Sequence, residues 1–185
     1  MTTFTIATPE RMAELGAVIA AQLGAGDLVL LNGELGAGKT TLTRAIGETL
    51  GIRGTVTSPT FVLARTHPRL DGAGVELSTD AAAPLVHVDA YRLSSAVELD
   101  DLDIDFEASI VIVEWGAGLL DGVSDSWLTV DIARPIGGGS RENSADDLNE
   151  SHDDFADEAI ELRTVTVTGT GPRWADMEWL NAVSD

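Results

Sequence analysis

Leu28-Val29-Leu30-Leu31-Asn32-Gly33-Glu34-Leu35-Gly36-Ala37-Gly38-Lys39-Thr40-Thr41 decides the fold. Its first four residues are all apolar, which suits a strand buried on both faces, as in a parallel sheet covered by helices. Gly33 to Thr40 then satisfies G-x-x-x-x-G-K-[ST]. Glycines let a backbone wrap an anion with its N–H groups turned inward, and the helix that follows adds the positive end of its dipole. In such a turn Lys39 reaches the β- and γ-phosphates of a nucleotide, Thr40 ligates Mg²⁺, and Thr41 lies near the α-phosphate. The chain has 19 glycines and a single lysine, so about 0.002 accidental matches to the pattern are expected, and chance is set aside. That lysine, Lys39, sits where the pattern requires one.

The surrounding sequence fits the same plan. Lys39 to Leu50 reads as a helix with Leu42, Ala45, Ile46 and Leu50 on its inner stripe and Gly51 at its end. Upstream, Phe4 to Ala7 reads as a short strand. Thr8-Pro9 reads as a cap and first turn, opening a helix with Met12, Leu15, Val18, Ile19 and Leu23 on one face. Downstream, strands are expected at Thr60–Arg65, Leu85–Asp89, Ile110–Val113, Trp127–Ala133 and Leu162–Thr168, with a long loop at Gly72–Pro84. A last helix is expected over Arg173–Val183, packing through Trp174, Met177 and Leu180. Ile136 to Asp157 is mostly Asp, Glu, Asn and Ser behind three glycines; with few apolar groups to offset the cost of ordering, it reads as a disordered acidic insertion.

Composition closes several routes. The 185 residues hold 31 acids against 11 Lys plus Arg, a formal charge of −20, so broad electrostatic binding to nucleic acid or anionic membrane is not expected. There is no cysteine and there are three histidines, which excludes thiolate metal sites and cysteine nucleophiles and disfavours a histidine-rich metal site. No leader pattern is visible and apolar runs reach about five residues, far below the ~20 that span a bilayer, so a cytoplasmic protein is expected. Length is that of one domain, residues 1–185.

Guanine is commonly read by an Asn-Lys-x-Asp loop, and Lys39 is already committed, so ATP is the expected nucleotide. Glu114 follows Ile110-Val111-Ile112-Val113. An acid at the end of a buried strand beside a phosphate turn holds Mg²⁺ or orients an attacking water. In His87-Val88-Asp89-Ala90-Tyr91-Arg92, His87 and Asp89 share one strand face; Asp89 falls at the strand end as a catalytic candidate, while His87 reads as a structural histidine. Ser58-Pro59-Thr60-Phe61 offers hydroxyls from a rigid turn, of the kind that senses a γ-phosphate.

Taken in this order, Gly33–Thr41, Ser58–Phe61, His87–Arg92 and Glu114-Trp115 resemble the TsaE (YjeE) family of bacterial ATPases in tRNA threonylcarbamoyladenosine biosynthesis. The resemblance covers about residues 4–134 and, more loosely, 160–183. It implies an α/β, P-loop NTPase-like domain with a mixed sheet flanked by helices. It implies slow hydrolysis of ATP to ADP with Mg²⁺, stimulated by the TsaB–TsaD heterodimer that carries out the modification; no direct nucleic-acid contact by this chain is expected. Carried over residue by residue, Lys39, Asp89 and Glu114 match the catalytic positions and Thr40 and Glu114 the metal positions. Thr8, Gly33, Glu34, Leu35, Gly36, Ala37, Gly38, Lys39, Thr40, Thr41 and Trp115 match the nucleotide surroundings. The loop at Gly72–Pro84 and the insertion are long for the family, and either Arg134 or Arg141 is a candidate arginine contact. A P-loop small-molecule kinase is the alternative; its usual lid arginines are not evident here.

Overall fold

The alternation of apolar residues along the buried strands sets which layer each side chain joins. In the computed structural model, which describes residues 1–79, 81–119, 122–134 and 162–183, seven strands form one mixed sheet. They are β1 (Thr2–Ile6), β2 (Leu28–Gly33), β3 (Ala64–His67), β4 (Leu85–Asp89), β5 (Ile110–Glu114), β6 (Trp127–Ala133) and β7 (Arg163–Thr170). Their spatial order is β1-β7-β6-β2-β5-β4-β3. The four central strands, β6, β2, β5 and β4, run parallel. β3 on one edge and β7 on the other side run against them, and β1 pairs antiparallel with β7. The α/β, P-loop NTPase-like fold read from the sequence is the fold observed.

Helices α1 (Pro9–Ala20) and α2 (Lys39–Leu50) cover one face. Val29 and Leu31 of β2, Leu85 of β4 and Ile110 and Ile112 of β5 point into that layer with Leu15, Ile19, Leu42 and Ile46. Leu28, Leu30, Val86, Val88, Val111 and Val113 point the other way, into a second layer closed by Leu99 of the short helix α3 (Ala96–Asp100) and by Leu119. α1 and α2 touch at Gly16, where a Cβ would lie 2.7 Å from that of Ala45. The Thr8 hydroxyl caps α1 by accepting from Arg11 N–H, as expected of a Thr-Pro entry.

Several boundaries differ from the sequence reading. The strand expected at Thr60–Arg65 begins only at Ala64 and runs to His67. Leu63 has φ +65°, and its N–H and that of Val62 both bond the Pro59 carbonyl, so 59–63 is a turn. The C-terminal helix is two 3₁₀ segments, Pro172–Trp174 and Glu178–Ala182, although Trp174 and Leu180 are buried and Met177 packs on the core as expected. The first strand is displaced to Thr2–Ile6 and the last to Arg163–Thr170. Within Gly72–Pro84 the chain is partly tied: Asp71 accepts from Ala73 and Val75 N–H, and Leu70 bridges Glu76. The acidic insertion at 136–157 lies between β6 and β7, outside the described residues. Among the described residues, no helix is long and apolar enough to cross a membrane.

Candidate functional site

Strand register assembles the site. β2 pairs with β5 so that Leu31 lies opposite Glu114, and β5 pairs with β4 so that Glu114 lies opposite Asp89. Leu31, Glu114 and Asp89 therefore form one row at the carboxyl ends of the parallel strands, the edge where open α/β sheets bind ligands. Glu114 continues the parity of Ile110 and Ile112, and Asp89 that of Leu85 and His87, so both carboxylates face α2. Each is only 4% exposed.

The turn from Gly33 to Gly38 closes the site from the β2 side. Gly33 has φ +147°, and a Cβ there would lie 2.5 Å from the Ile132 carbonyl of β6. Gly38, the N-cap of α2, has φ +114°. Only glycine fits both demands. Ala37 is buried and anchors the turn, while Glu34, Leu35 and Gly36 form its exposed tip. Lys39 Nζ donates to the carbonyls of Gly33 (2.8 Å) and Glu34 (3.1 Å) and lies 3.8 Å from the centroid of Trp115. Burial pushes the Lys39 ammonium below its usual range, and the carboxylates of Glu114 and Asp89 pull it back up. Trp115 holds φ +63° and meets Tyr91 edge to face, with 5.6 Å between centroids.

Thr40 Oγ1 donates to Glu114 Oε1 at 2.9 Å, and His87 Nε2 lies 2.8 Å from the same oxygen. Asp89 Oδ2 accepts from Thr60 Oγ1, which also bonds Ser58 Oγ at 2.7 Å, and Asp89 Oδ1 accepts from Tyr91 N–H. Arg92 donates to the Thr60 carbonyl. The Ser-Pro-Thr-Phe turn and the His-x-Asp-x-Tyr-Arg segment are thus latched together. Lys39, Thr40, Thr41, Ser58, Thr60, Asp89, Glu114 and Trp115 all line one cleft of about 640 Å³, together with Leu35, Gly36, Gly38 and Tyr91.

Thr8 stands apart from this cleft. It lines a smaller cavity of about 100 Å³ behind the turn, with Met12, Gly36, Gly38, Thr41 and Arg163. Of the two arginines weighed from the sequence, Arg134 lies against Gly36, with Nη1 3.3 Å from where a Cβ would be; Arg141 falls outside the described residues. Arg163, not singled out in the sequence, reaches further in: its Nε donates to the Ala37 carbonyl at 3.0 Å. That contact spans 126 positions and leaves no local signature.

The arrangement is suited to a polyanion. The start of α2 and one ammonium can take up negative charge, and two buried carboxylates with a hydroxyl supply hard oxygen donors beside it.

Comparisons with known proteins bear on the family of the chain. Residues 6–142 match the family model described as Threonylcarbamoyl adenosine biosynthesis protein TsaE. The chain is 49% identical over 168 residues to the Streptomyces coelicolor protein named tRNA threonylcarbamoyladenosine biosynthesis protein TsaE, covering 89% of this chain and 94% of that one. The proteins of the same name from Mycobacterium tuberculosis and Bacillus subtilis are 45% and 33% identical, over 71% and 68% of this chain and 79% and 73% of theirs. The crystal structure of Bacillus subtilis YdiB superposes with a TM-score of 0.58 at 26% identity, covering 98% of this chain and 91% of that one. With 137 consecutive positions matched to the family model and relatives aligned over most of both chains, the chain belongs to the TsaE family.

Proposed function

We propose that this chain is a cytoplasmic, Mg²⁺-dependent ATPase serving tRNA threonylcarbamoyladenosine biosynthesis, and that it acts with the TsaB–TsaD heterodimer rather than on tRNA directly. The pathway rests on the names its relatives carry. The chemistry rests on one observation: the glycine-rich turn presents Lys39 and Thr40 to the carboxylates Glu114 and Asp89 in a single cleft.

Charge balance supports a divalent cation. Two carboxylates and one ammonium already leave the cleft negative, and a nucleotide triphosphate adds several more charges. Thr40 Oγ1 and the Glu114 carboxylate are hard oxygen donors placed side by side, so these residues would hold Mg²⁺. When bound, the metal would supply neutralisation of charge on the phosphate oxygens. Backbone N–H groups of the turn bind and orient the phosphates, Ala37 excepted, since its N–H is bonded to the Glu34 carbonyl. Lys39 exchanges the Gly33 and Glu34 carbonyls for phosphate oxygens, so its ammonium arrives with little solvent to shed. Asp89, held on both oxygens by Thr60 and Tyr91, has a fixed orientation from which to position a water. The acidic surface leaves tRNA contact to the partners.

The test is phosphate release from ATP with Mg²⁺, with and without purified TsaB–TsaD, using Lys39→Ala as control. Weak turnover that the pair stimulates and the control abolishes is expected. Turnover surviving in Lys39→Ala would refute the site, and phosphate transfer to a small-molecule acceptor in place of water would establish a kinase.

A further inference from the structure

His87 is fully buried, and among the described residues its side chain is hydrogen-bonded to Glu114 Oε1 alone. Its other ring nitrogen, Nδ1, is buried with no hydrogen-bond partner among the described residues. A histidine kept only for packing would give up that orphaned nitrogen at no loss, because an apolar side chain of similar size fills a buried strand position without it. The polar contact that this histidine makes is to a carboxylate, and that carboxylate faces Thr40 across the cleft.

We infer that His87 is a positioning residue: its Nε2–H fixes the rotamer of Glu114 and so sets the Thr40–Glu114 oxygen pair for Mg²⁺. The inference rests on the metal role proposed above for Glu114. A carboxylate only accepts, so the proton lies on Nε2 and Nδ1 carries the buried lone pair. The hydrogen bonds from Thr40 and His87 converge on one oxygen, Oε1, which leaves Oε2 for the cleft. β4 and β5 are paired at His87 and Ile112, so the donor rides on the same rigid ladder as its acceptor. Groups that orient a metal's ligands from behind commonly govern metal affinity more than nucleotide affinity.

Three readouts test this. Long-range ¹⁵N–¹H correlation on the ligand-free protein should show His87 protonated at Nε2 and bare at Nδ1; the opposite tautomer would overturn the inference without any variant. In His87→Leu, the Mg²⁺ concentration giving half-maximal phosphate release and half-maximal enhancement of ADP binding should rise about 10–100-fold. ADP affinity in EDTA should stay within about twofold of the parent, since the turn is untouched. His87→Gln places an amide N–H at a comparable reach and should restore the Mg²⁺ requirement to within about threefold. A folded Leu variant with unaltered Mg²⁺ dependence, or a Gln variant as impaired as Leu, would sink it. If Leu does not fold, the tautomer and the Gln variant still decide. Lys39→Ala, run in parallel, separates this failure from failure of the ATPase reading, which alone predicts its inactivity.

Discussion

Replacing Arg163 by Met should weaken ADP binding although Arg163 lies outside the glycine-rich motif. The substitution keeps the apolar stem and deletes the donor that reaches the Ala37 carbonyl at 3.0 Å. Ala37 is fully buried in the turn, so its carbonyl loses a charged partner where water replaces it poorly. Hydrogen bonds to charged groups contribute about 1.5–3 kcal/mol, and the partial exposure of Arg163 reduces this to the bottom of that range and below it, about 1–2 kcal/mol. The cost falls on the binding-competent shape of the turn, so it appears in the apparent dissociation constant as roughly a 5–30-fold increase. Calorimetric titration with ADP and Mg²⁺ measures it, with circular dichroism as the check on folding. Arg163→Lys, which keeps a charge but not the guanidinium reach, should fall between. A folded Met variant that binds ADP within about twofold of the parent would show that β7 does not brace the turn.

Asp89→Asn keeps an acceptor for Tyr91 N–H and a donor for the Thr60 hydroxyl, so the latch should hold while the charge is lost. Phosphate release should drop about 100-fold or more with ADP affinity little changed, and normal turnover would remove Asp89 from the chemistry. Arg173→Leu strips a two-pronged partner from the buried Asp27 carboxylate, leaving it the Gly24 N–H. Breaking a buried pair costs about 3–5 kcal/mol; with Arg173 at 48% exposure, about 2 kcal/mol is expected, or a fall of about 4–8 °C in Tm by calorimetry. Burial, then the neighbouring His87 and Arg65, holds His67 below its ordinary pKa of 6.5. A depressed pKa means the folded chain binds fewer protons than the unfolded chain below that value. Stability is therefore present above pH 6.5 and lost as pH falls toward the folded pKa. Melting curves of His67→Leu should lose part of this acid sensitivity, and an identical pH profile would assign it elsewhere.

How much of this could be read beforehand depended on whether the signal was local. Strand β2, the turn and helix α2 were legible because each is specified by neighbours in sequence: an all-apolar run, glycines at fixed spacing, and a 3.6-residue stripe. Glu114 and Asp89 were legible as acids at strand ends. Their placement in one row was not, because register between β4 and β5 is decided by packing across the sheet. His87 read as structural because a lone histidine on a strand carries no mark of its partner, and Glu114 is 27 positions away. The strand expected from Thr60 failed at Leu63, where a left-handed backbone ends the turn after Pro59. The C-terminal helix failed because Trp174, Met177 and Leu180 suit a helical spacing that two short 3₁₀ turns serve equally well.

The row of Leu31, Glu114 and Asp89 bears on how such a chain can change over evolutionary time. A side chain's layer is set by counting residues along a strand, so one residue inserted or deleted in β4 or β5 would swing an acid through the sheet to the face of Val111 and Val113. No compensating point substitution nearby reverses that. The connection between β6 and β7, 29 residues from Arg134 to Leu162, meets no such constraint, since β6 and β7 pair with each other whatever length joins them. Lineages are thus free to lengthen or shorten the joins at the sheet's margin, while the two interior strands that carry the acids must keep their residue count.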